Sequence, residues 1–287
     1  MPVNILLLDT SKKNSEAIQK IVDVIKKGGN VVLPWGAPQR EAFVLVADAT
    51  NLKAVQGLNK IKGRPLNQAV GITAPPEAIS KLADLENTEA IKKYSQKLRL
   101  TPLEYITKLF EQGALALIVK ANNKLQAPLI KIGEDGARTV MFATEMNYRD
   151  NPIIHQVYQK LLKEGIVLGG TSANRKGEDT YAIHQQEEAI ADLKDVVDLF
   201  VGYLKPKFKF KRLKFMPKFL HPLHFSSSTY FDMTKYPPVL LREGSVHPWS
   251  FRNLLPKYQK NNKMRKESLR QTRLHLFTDP LMRRLVS

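Results

Sequence analysis

The chain has 287 residues, is 43% hydrophobic, carries 45 Lys and Arg against 27 Asp and Glu, and contains no cysteine. That length suits one large domain or a domain with an appendage, and the missing cysteine excludes disulfides, thiolate metal sites and cysteine nucleophiles. The charge is lopsided: residues 203–287 hold 19 Lys and Arg against 4 Asp and Glu, whereas the first 202 hold 26 against 23, so any pull on a polyanion is concentrated in the C-terminal third.

Val3 to Leu8 is a short apolar run with no basic residue before it and Asp9 after it, which reads as a first strand and not as a signal peptide. No uncharged apolar stretch approaches the ~20 residues of a membrane-spanning helix, so a soluble cytoplasmic protein is expected. Ile18, Ile21, Val22 and Ile25 recur at helical spacing after Ser15, and Gly28-Gly29 stops that helix before a strand at Val31-Val32-Leu33. A second strand is expected at Phe43 to Val46, then a helix from about Asn51 to Ile61 with Ala54, Val55 and Leu58 on one face.

Lys62-Gly63-Arg64-Pro65 follows at the helix end. Gly63 supplies a C-terminal stop and Pro65 forbids continuation, which holds two cations on a constrained turn before a strand at Ala69 to Ile72. The plain reading is a solvated helix end. The functional one makes Lys62 a point charge and Arg64 a fork for phosphate or carboxylate oxygens.

No element is assigned between Ile72 and Thr101. Thr101-Pro102-Leu103-Glu104 is a capping box with Pro at the first helical position, opening a helix to about Gln112. Strands at Ala114 to Val119 and Thr139 to Ala143, a helix from Asn151-Pro152 to Gly165, and a buried strand at Ile166-Val167-Leu168 come next. Gly169-Gly170-Thr171-Ser172-Ala173-Asn174 then stands at a strand's C-terminal end, where open α/β sheets bind ligands. It reads either as a tight turn of small residues or as a site where Ser172 bonds a phosphate and Asn174 offers its amide to a base, ribose or acyl group.

A helix near Gln185 to Leu193 and a strand at Val196 to Phe200 complete an α/β alternation. Lys205 to Phe225 interleaves Lys and Arg with Phe, Leu and Met around Pro206, Pro217 and Pro222, which reads as a basic insert spanning about 203–225. From His247 onward the chain is again Arg/Lys-rich, with a helix expected around Lys263 to Leu276. Ser226-Ser227-Ser228-Thr229 and Pro237 to Gly244, with Arg242 near its end, lie between these basic stretches. The six histidines carry no H-E-x-x-H spacing, and neither a Walker A loop, a nucleophile elbow nor a dinucleotide fingerprint is present. For the basic third three readings stay open: a solvated surface, a site for tRNA or double-stranded RNA, and attachment to an anionic membrane.

Taken together and in this order, the three segments resemble the YrdC/Sua5 family of threonylcarbamoyl-AMP synthases. Lys62 to Pro65 matches the family's Lys-x-Arg-Pro. Thr171 to Asn174, with Gly177, matches its Ser/Thr-Ser-Ala-Asn stretch. Ser228, Thr229 and Asp232, then Pro238 to Gly244, match its last motif. The resemblance runs from about Ser15 to Val246, implying a YrdC-like domain over 1–246 and a basic extension over 247–287. It implies a twisted, open, mixed α/β sheet flanked by helices around a basic cavity.

The resemblance further implies a nucleotidyltransferase that turns ATP, L-threonine and bicarbonate into threonylcarbamoyl-adenylate and pyrophosphate for the t6A modification of tRNA. Mg²⁺ would arrive with the nucleotide. Lys62 and Arg64 would hold phosphate and carboxylate oxygens; Thr171, Ser172, Asn174, Ser228 and Thr229 would hold the adenylate, with Arg242 supporting that wall. The chain departs from the family in three places: Trp35 to Glu41 replaces a Thr- and Tyr-containing segment on the threonine side, and Gln68 and Ala143 stand where the family has Lys and Arg. The alternative reading is a non-catalytic paralogue that binds nucleotide or double-stranded RNA.

Overall fold

The computed structural model describes residues 4–9, 14–37, 40–113, 115–123, 125, 128–133, 135–144, 152–173, 186–204, 228–244 and 248–261. Its strands are β1 (Ile5–Leu8), β2 (Val31–Ala37), β3 (Arg40–Asp48), β4 (Gly71–Thr73), β5 (Leu115–Lys120), β6 (Lys131–Ile132), β7 (Arg138–Thr144), β8 (Leu168–Ser172), β9 (Leu199–Tyr203), β10 (Thr229–Asp232), β11 (Val239–Arg242) and β12 (Gln259–Lys260). The helices are α1 (Ser15–Lys26), α2 (Leu52–Ile61), α3 (Pro76–Leu82), α4 (Glu89–Leu98), α5 (Pro102–Phe110), α6 (Pro152–Lys163) and α7 (Gln186–Leu193). The strands join one mixed sheet in the order β1-β9-β2-β3-β8-β4-β7-β5-β10-β11-β12, with β6 on β7.

Period-two alternation sorts the apolar side chains onto two faces. On one face Leu8, Val31, Leu33, Val46, Leu168, Leu199 and Val201 pack under Ile18, Ile21, Val22 and Ile25 of α1 and Val157 and Leu161 of α6. On the other, Val32, Leu45, Leu115, Leu117, Val140, Phe142 and Phe231 pack against α2, α3, α4, α5 and α7 through Val55, Ile79, Tyr94, Tyr105, Leu109 and Ala189. The first face is roofed by α1 and α6 only over the β1-β9-β2-β3-β8 half. Over β4, β7, β5 and β10 the same face turns Gly71, Thr139, Met141, Ala143, Ala116, Ile118 and Tyr230 towards a cavity. Residues this small and this mixed do not make a helix-packing face.

The local stops fall where the sequence places them. Asn51 caps α2 by accepting from the Lys53 and Ala54 amides at 3.0 and 3.3 Å. Gly63, at φ 58°, ends it. Thr101 and Glu104 form the expected capping box at α5. Two helices join the expected set. α3 begins at Pro76, a residue that opens helices as readily as it breaks them. α4 is mostly charged outside its buried Ala90, Ile91, Tyr94 and Ser95.

The strand expected at Ile166 to Leu168 is displaced. β8 runs Leu168–Ser172, so Gly169-Gly170 lies inside a strand and not in a turn beyond one. Antiparallel neighbours flank it on both sides, β3 through Val46↔Gly170 and Ala47↔Gly169, β4 through Gly71↔Gly170 and Ile72↔Gly169. Glycine is required there by close approach: a Cβ on Gly169 would stand 2.7 Å from Val70 Cγ2 and 2.9 Å from Ala49 Cβ. Gly169→Val is therefore expected to cost about 1–3 kcal/mol by overpacking, read as a lower urea midpoint with unchanged slope. An unchanged midpoint would place this strand elsewhere.

Of the stretch expected as a C-terminal extension, residues 248–261 are built into the sheet's far edge. Phe251 and Leu255 are buried, and β12 pairs in parallel with β11. The basic insert at 205–225 and the helix expected around Lys263 to Leu276 lie outside the described residues.

Candidate functional site

The cavity has a volume of about 680 Å³, and it brings Arg64, Thr171, Ser172, Ser228 and Arg242 to one surface although they lie far apart in sequence. Among the described residues its lining contains three cations, Arg64, Lys131 and Arg242, and no carboxylate, a composition that suits an anion. Among the described residues no group of three or more His, Asp or Glu is placed to hold a metal ion.

One pole is built by the turn after α2 and the end of β8. Asn59, fully buried, donates its Nδ2 to the carbonyls of Leu66 and Gln68 at 3.2 and 2.8 Å, while its main-chain carbonyl accepts from the Arg64 amide at 2.9 Å. The turn is thus wound around one buried amide, and it delivers Arg64, Asn67 and Gln68 to the cavity wall. β4 pairs with β8 only over Gly71–Thr73, so Thr171 and Ser172 run past it with β3 alone beside them. That gap exposes both hydroxyl-bearing residues to the cavity.

Lys62 sits behind this wall. It is 3% exposed, does not line the cavity, and its Nζ donates to the Ser172 carbonyl at 3.0 Å. The lysine read from sequence as a ligand cation here ties the turn to β8. Gly63 reverses the chain between Lys62 and Arg64, so the first cation faces the wall and the second the cavity.

The other pole lies four strand spacings away, roughly 19 Å across an uncurved sheet. Val239, Leu240, Leu241 and Arg242 would alternate faces in a regular strand, sending Arg242 to the helical side with buried Leu240. Instead the register jumps: Phe231 opposes Leu240, but Tyr230 opposes Arg242. The extra residue, Leu241, is a bulge that turns Arg242 over to the Tyr230 side. Arg242 then grips the Ser228 carbonyl with Nε at 3.2 Å and Nη2 at 3.1 Å. Thr229 faces the other way, fully buried, with its Oγ1 accepting from the Gly244 amide at 3.0 Å. It braces the strand and does not line the cavity.

Burial pushes the Tyr230 phenol up to about 12, and the nearby Arg242 guanidinium only partly offsets this. Tyr230 therefore presents a neutral hydroxyl at any physiological pH. Between the poles the floor is uncharged, formed by Ala116, Ile118, Met141 and Ala143. Gln68 and Ala143 both line the cavity, so these two departures from the family pattern fall within the site. Asn174 lies outside the described residues, as do Pro38 and Gln39 of the divergent segment; Trp35–Ala37 and Arg40–Glu41 continue β2 and β3. Sequence reading missed Lys131, Tyr230, Met141 and Asn59, and for Tyr230 and Met141 the signal was available as alternate positions on β10 and β7.

A mixed, open α/β sheet flanked by helices, with a cationic half-face that no described helix covers, defines the class of domain. The profile of the Sua5/YciO/YrdC family, described as telomere recombination, matches residues 23–208, and the chain belongs to that family. The fold is that of Sua5 from P. abyssi, whose complex with L-threonine aligns with a TM-score of 0.61 at 17% identity over 90% of this chain. A variant of the same protein carrying two alanine substitutions gives 0.62 at 17% identity. This chain spans 62–65% of those two longer chains. E. coli YciO aligns with a TM-score of 0.59 at 18% identity, over 86% of this chain and 98% of its own. No curated protein matches the sequence. No described helix is long and apolar enough to cross a membrane.

Proposed function

We propose that the cavity binds ATP and forms an adenylate of the threonylcarbamoyl-AMP kind, in the cytoplasm and in the service of tRNA modification. The observation that carries this reading is the gathering of Arg64 and Arg242 with the hydroxyls of Thr171, Ser172 and Ser228 on one surface that is free of carboxylates among the described residues. Arg64 and Lys131 would neutralise phosphate or carboxylate oxygens, and the hydroxyls together with Asn174 would hold the adenylate. Lys62 and Thr229 would act from behind the walls by fixing Ser172 and the start of β10. Mg²⁺ would enter as part of the substrate, MgATP.

In that reaction the amine of threonine condenses with bicarbonate to give a carbamate, and one water leaves. A carbamate oxygen attacks the α-phosphorus and pyrophosphate leaves. The protein supplies position and fixed positive charge, with no covalent role for a side chain. The L-threonine complex of the P. abyssi relative supports the choice of amino acid.

A second reading is favoured by Gln68 and Ala143, which leave the middle of the cavity without the cations of the family pattern. On this reading the chain binds nucleotide and forms no adenylate. Pyrophosphate release from ATP, measured with and without bicarbonate across single amino acids, separates the two. Release that needs both bicarbonate and an amino acid supports adenylate formation. ATP binding with no release under any condition assigns the chain to the second reading.

A further inference from the structure

Away from the cavity, two stretches distant in sequence converge into a basic flank. α4 shows Lys92, Lys93 and Lys97 to solvent, and Arg99 follows at its C-terminal end. Against it lies the C-terminal segment, pinned by two buried phenols. Tyr94 donates to the Lys257 carbonyl at 2.7 Å and Tyr105 to the Leu254 carbonyl at 3.1 Å. That segment adds exposed Arg252 and Lys257, and exposed Lys235 precedes β11.

Acidic residues nearby are few. Glu89 pairs with Lys93 and Glu243 with Lys260, each at 2.9 Å, and Asp84 and Glu86 stand at the entry to α4. Residues 262–287, which follow in sequence, hold 7 Lys and Arg against 2 Asp and Glu.

Two aromatic rings are exposed on the same flank, and each is stacked with a cation. Lys93 Nζ lies 4.3 Å from the centroid of Tyr236, which is 39% exposed; the Arg252 guanidinium lies 3.4 Å from that of Trp249, which is 62% exposed. A solvated basic helix needs no exposed tryptophan. An acidic protein or an anionic membrane also uses basic charge and an exposed tryptophan, and what the flat guanidinium–indole pair adds is a stacking surface of the kind unpaired bases occupy.

We infer that the flank formed by α4, Lys235, Tyr236 and residues 248–261 binds single-stranded nucleic acid, with Lys92, Lys97, Arg99 and Lys257 on the phosphates and the Trp249–Arg252 pair as a platform for unpaired bases. This is a separate site from the cavity and does not depend on what the cavity binds.

The test uses the full chain and fluorescent 12-nucleotide RNA and DNA, single-stranded and duplex, titrated across salt by anisotropy. Expected are single-strand binding with a log K against log salt slope of about −3, as about four phosphate contacts give, and no competition from AMP. Lys92→Glu with Lys97→Glu should weaken binding at least tenfold and flatten the slope. Trp249→Ala should weaken it at least fivefold while leaving the slope in place. Single-stranded RNA and DNA serve equally, since the proposed contacts are to phosphates and base faces.

Binding untouched by these changes would place it in residues 262–287 or in the cavity and overturn the inference. So would equal affinity for duplex, displacement by AMP, or binding to phosphatidylserine vesicles with none to oligonucleotides.

Discussion

Replacing Arg64 and Arg242 together by alanine is expected to weaken ATP binding by about 10²- to 10⁴-fold. Each guanidinium removed takes a charge-assisted contact, worth about 1.5–3 kcal/mol. The two stand at opposite poles of the cavity, four strand spacings apart, so their losses should nearly add, and every 1.4 kcal/mol is tenfold in affinity. Calorimetric titration of the two single variants and the double measures this directly. Near-additive losses mean that one ligand reaches both poles. If Arg242→Ala alone abolishes binding while Arg64→Ala leaves it unchanged, the ligand sits at the β10–β11 pole and the turn after α2 has no part in it.

The second large effect concerns stability. Phe231 is fully buried and meets Phe251 and Tyr258 edge-on, with ring centroids 5.8 and 5.7 Å apart. These contacts hold the C-terminal segment on the sheet, and β10 carries the cavity residue Tyr230 on its opposite face. Phe231→Ala should cost about 3–5 kcal/mol. For a domain of this size that lowers the melting temperature by roughly 6–20 °C. Calorimetric melting and the urea midpoint should agree. A loss under about 1 kcal/mol would mean that residues 248–261 do not pack where they are described.

The outline of the fold was legible where α1, α2 and α5 are amphipathic and end in chemistry with few alternatives, whereas α3, opened by Pro76, and α4, mostly charged outside four buried positions, were not. Ile18, Ile21, Val22 and Ile25 with Gly28, Asn51 with Gly63, and the Thr101–Glu104 box each mark an element by period and cap together. Two kinds of feature stayed hidden. Tertiary approach overrides propensity at Gly169 and Gly170, where two adjacent glycines argue for a turn but two flanking strands require them inside one. Register is invisible in a string: nothing in Val239 to Arg242 announces that Leu241 is bulged, and without that bulge Arg242 would face the helices.

The site itself was half legible. Its polar residues stood out as motifs, but the motifs give residue types without directions. Lys62 and Arg64 are two positions apart and end on opposite sides of a wall, because Gly63 adopts a positive φ between them. Ser228 and Thr229 alternate on the approach to β10, so only the first reaches the cavity. The apolar floor carried a weaker signal. The alternation of Ala116 and Ile118 with Leu115, Leu117 and Val119, and of Thr139, Met141 and Ala143 with Val140 and Phe142, marks one packed and one open face, yet it resembles any half-exposed strand until the helices are counted.

The central claim is that nucleotide occupies the uncovered half-face between Arg64 and Arg242. Methyl-labelled protein titrated with AMP tests it most directly, because Met141 lies on the cavity floor while Met233 is fully buried in the core. The account predicts a saturable shift of the Met141 methyl signal with the Met233 signal unmoved. A titration in which AMP binds and Met141 stays still, or in which AMP does not bind at all, would contradict it.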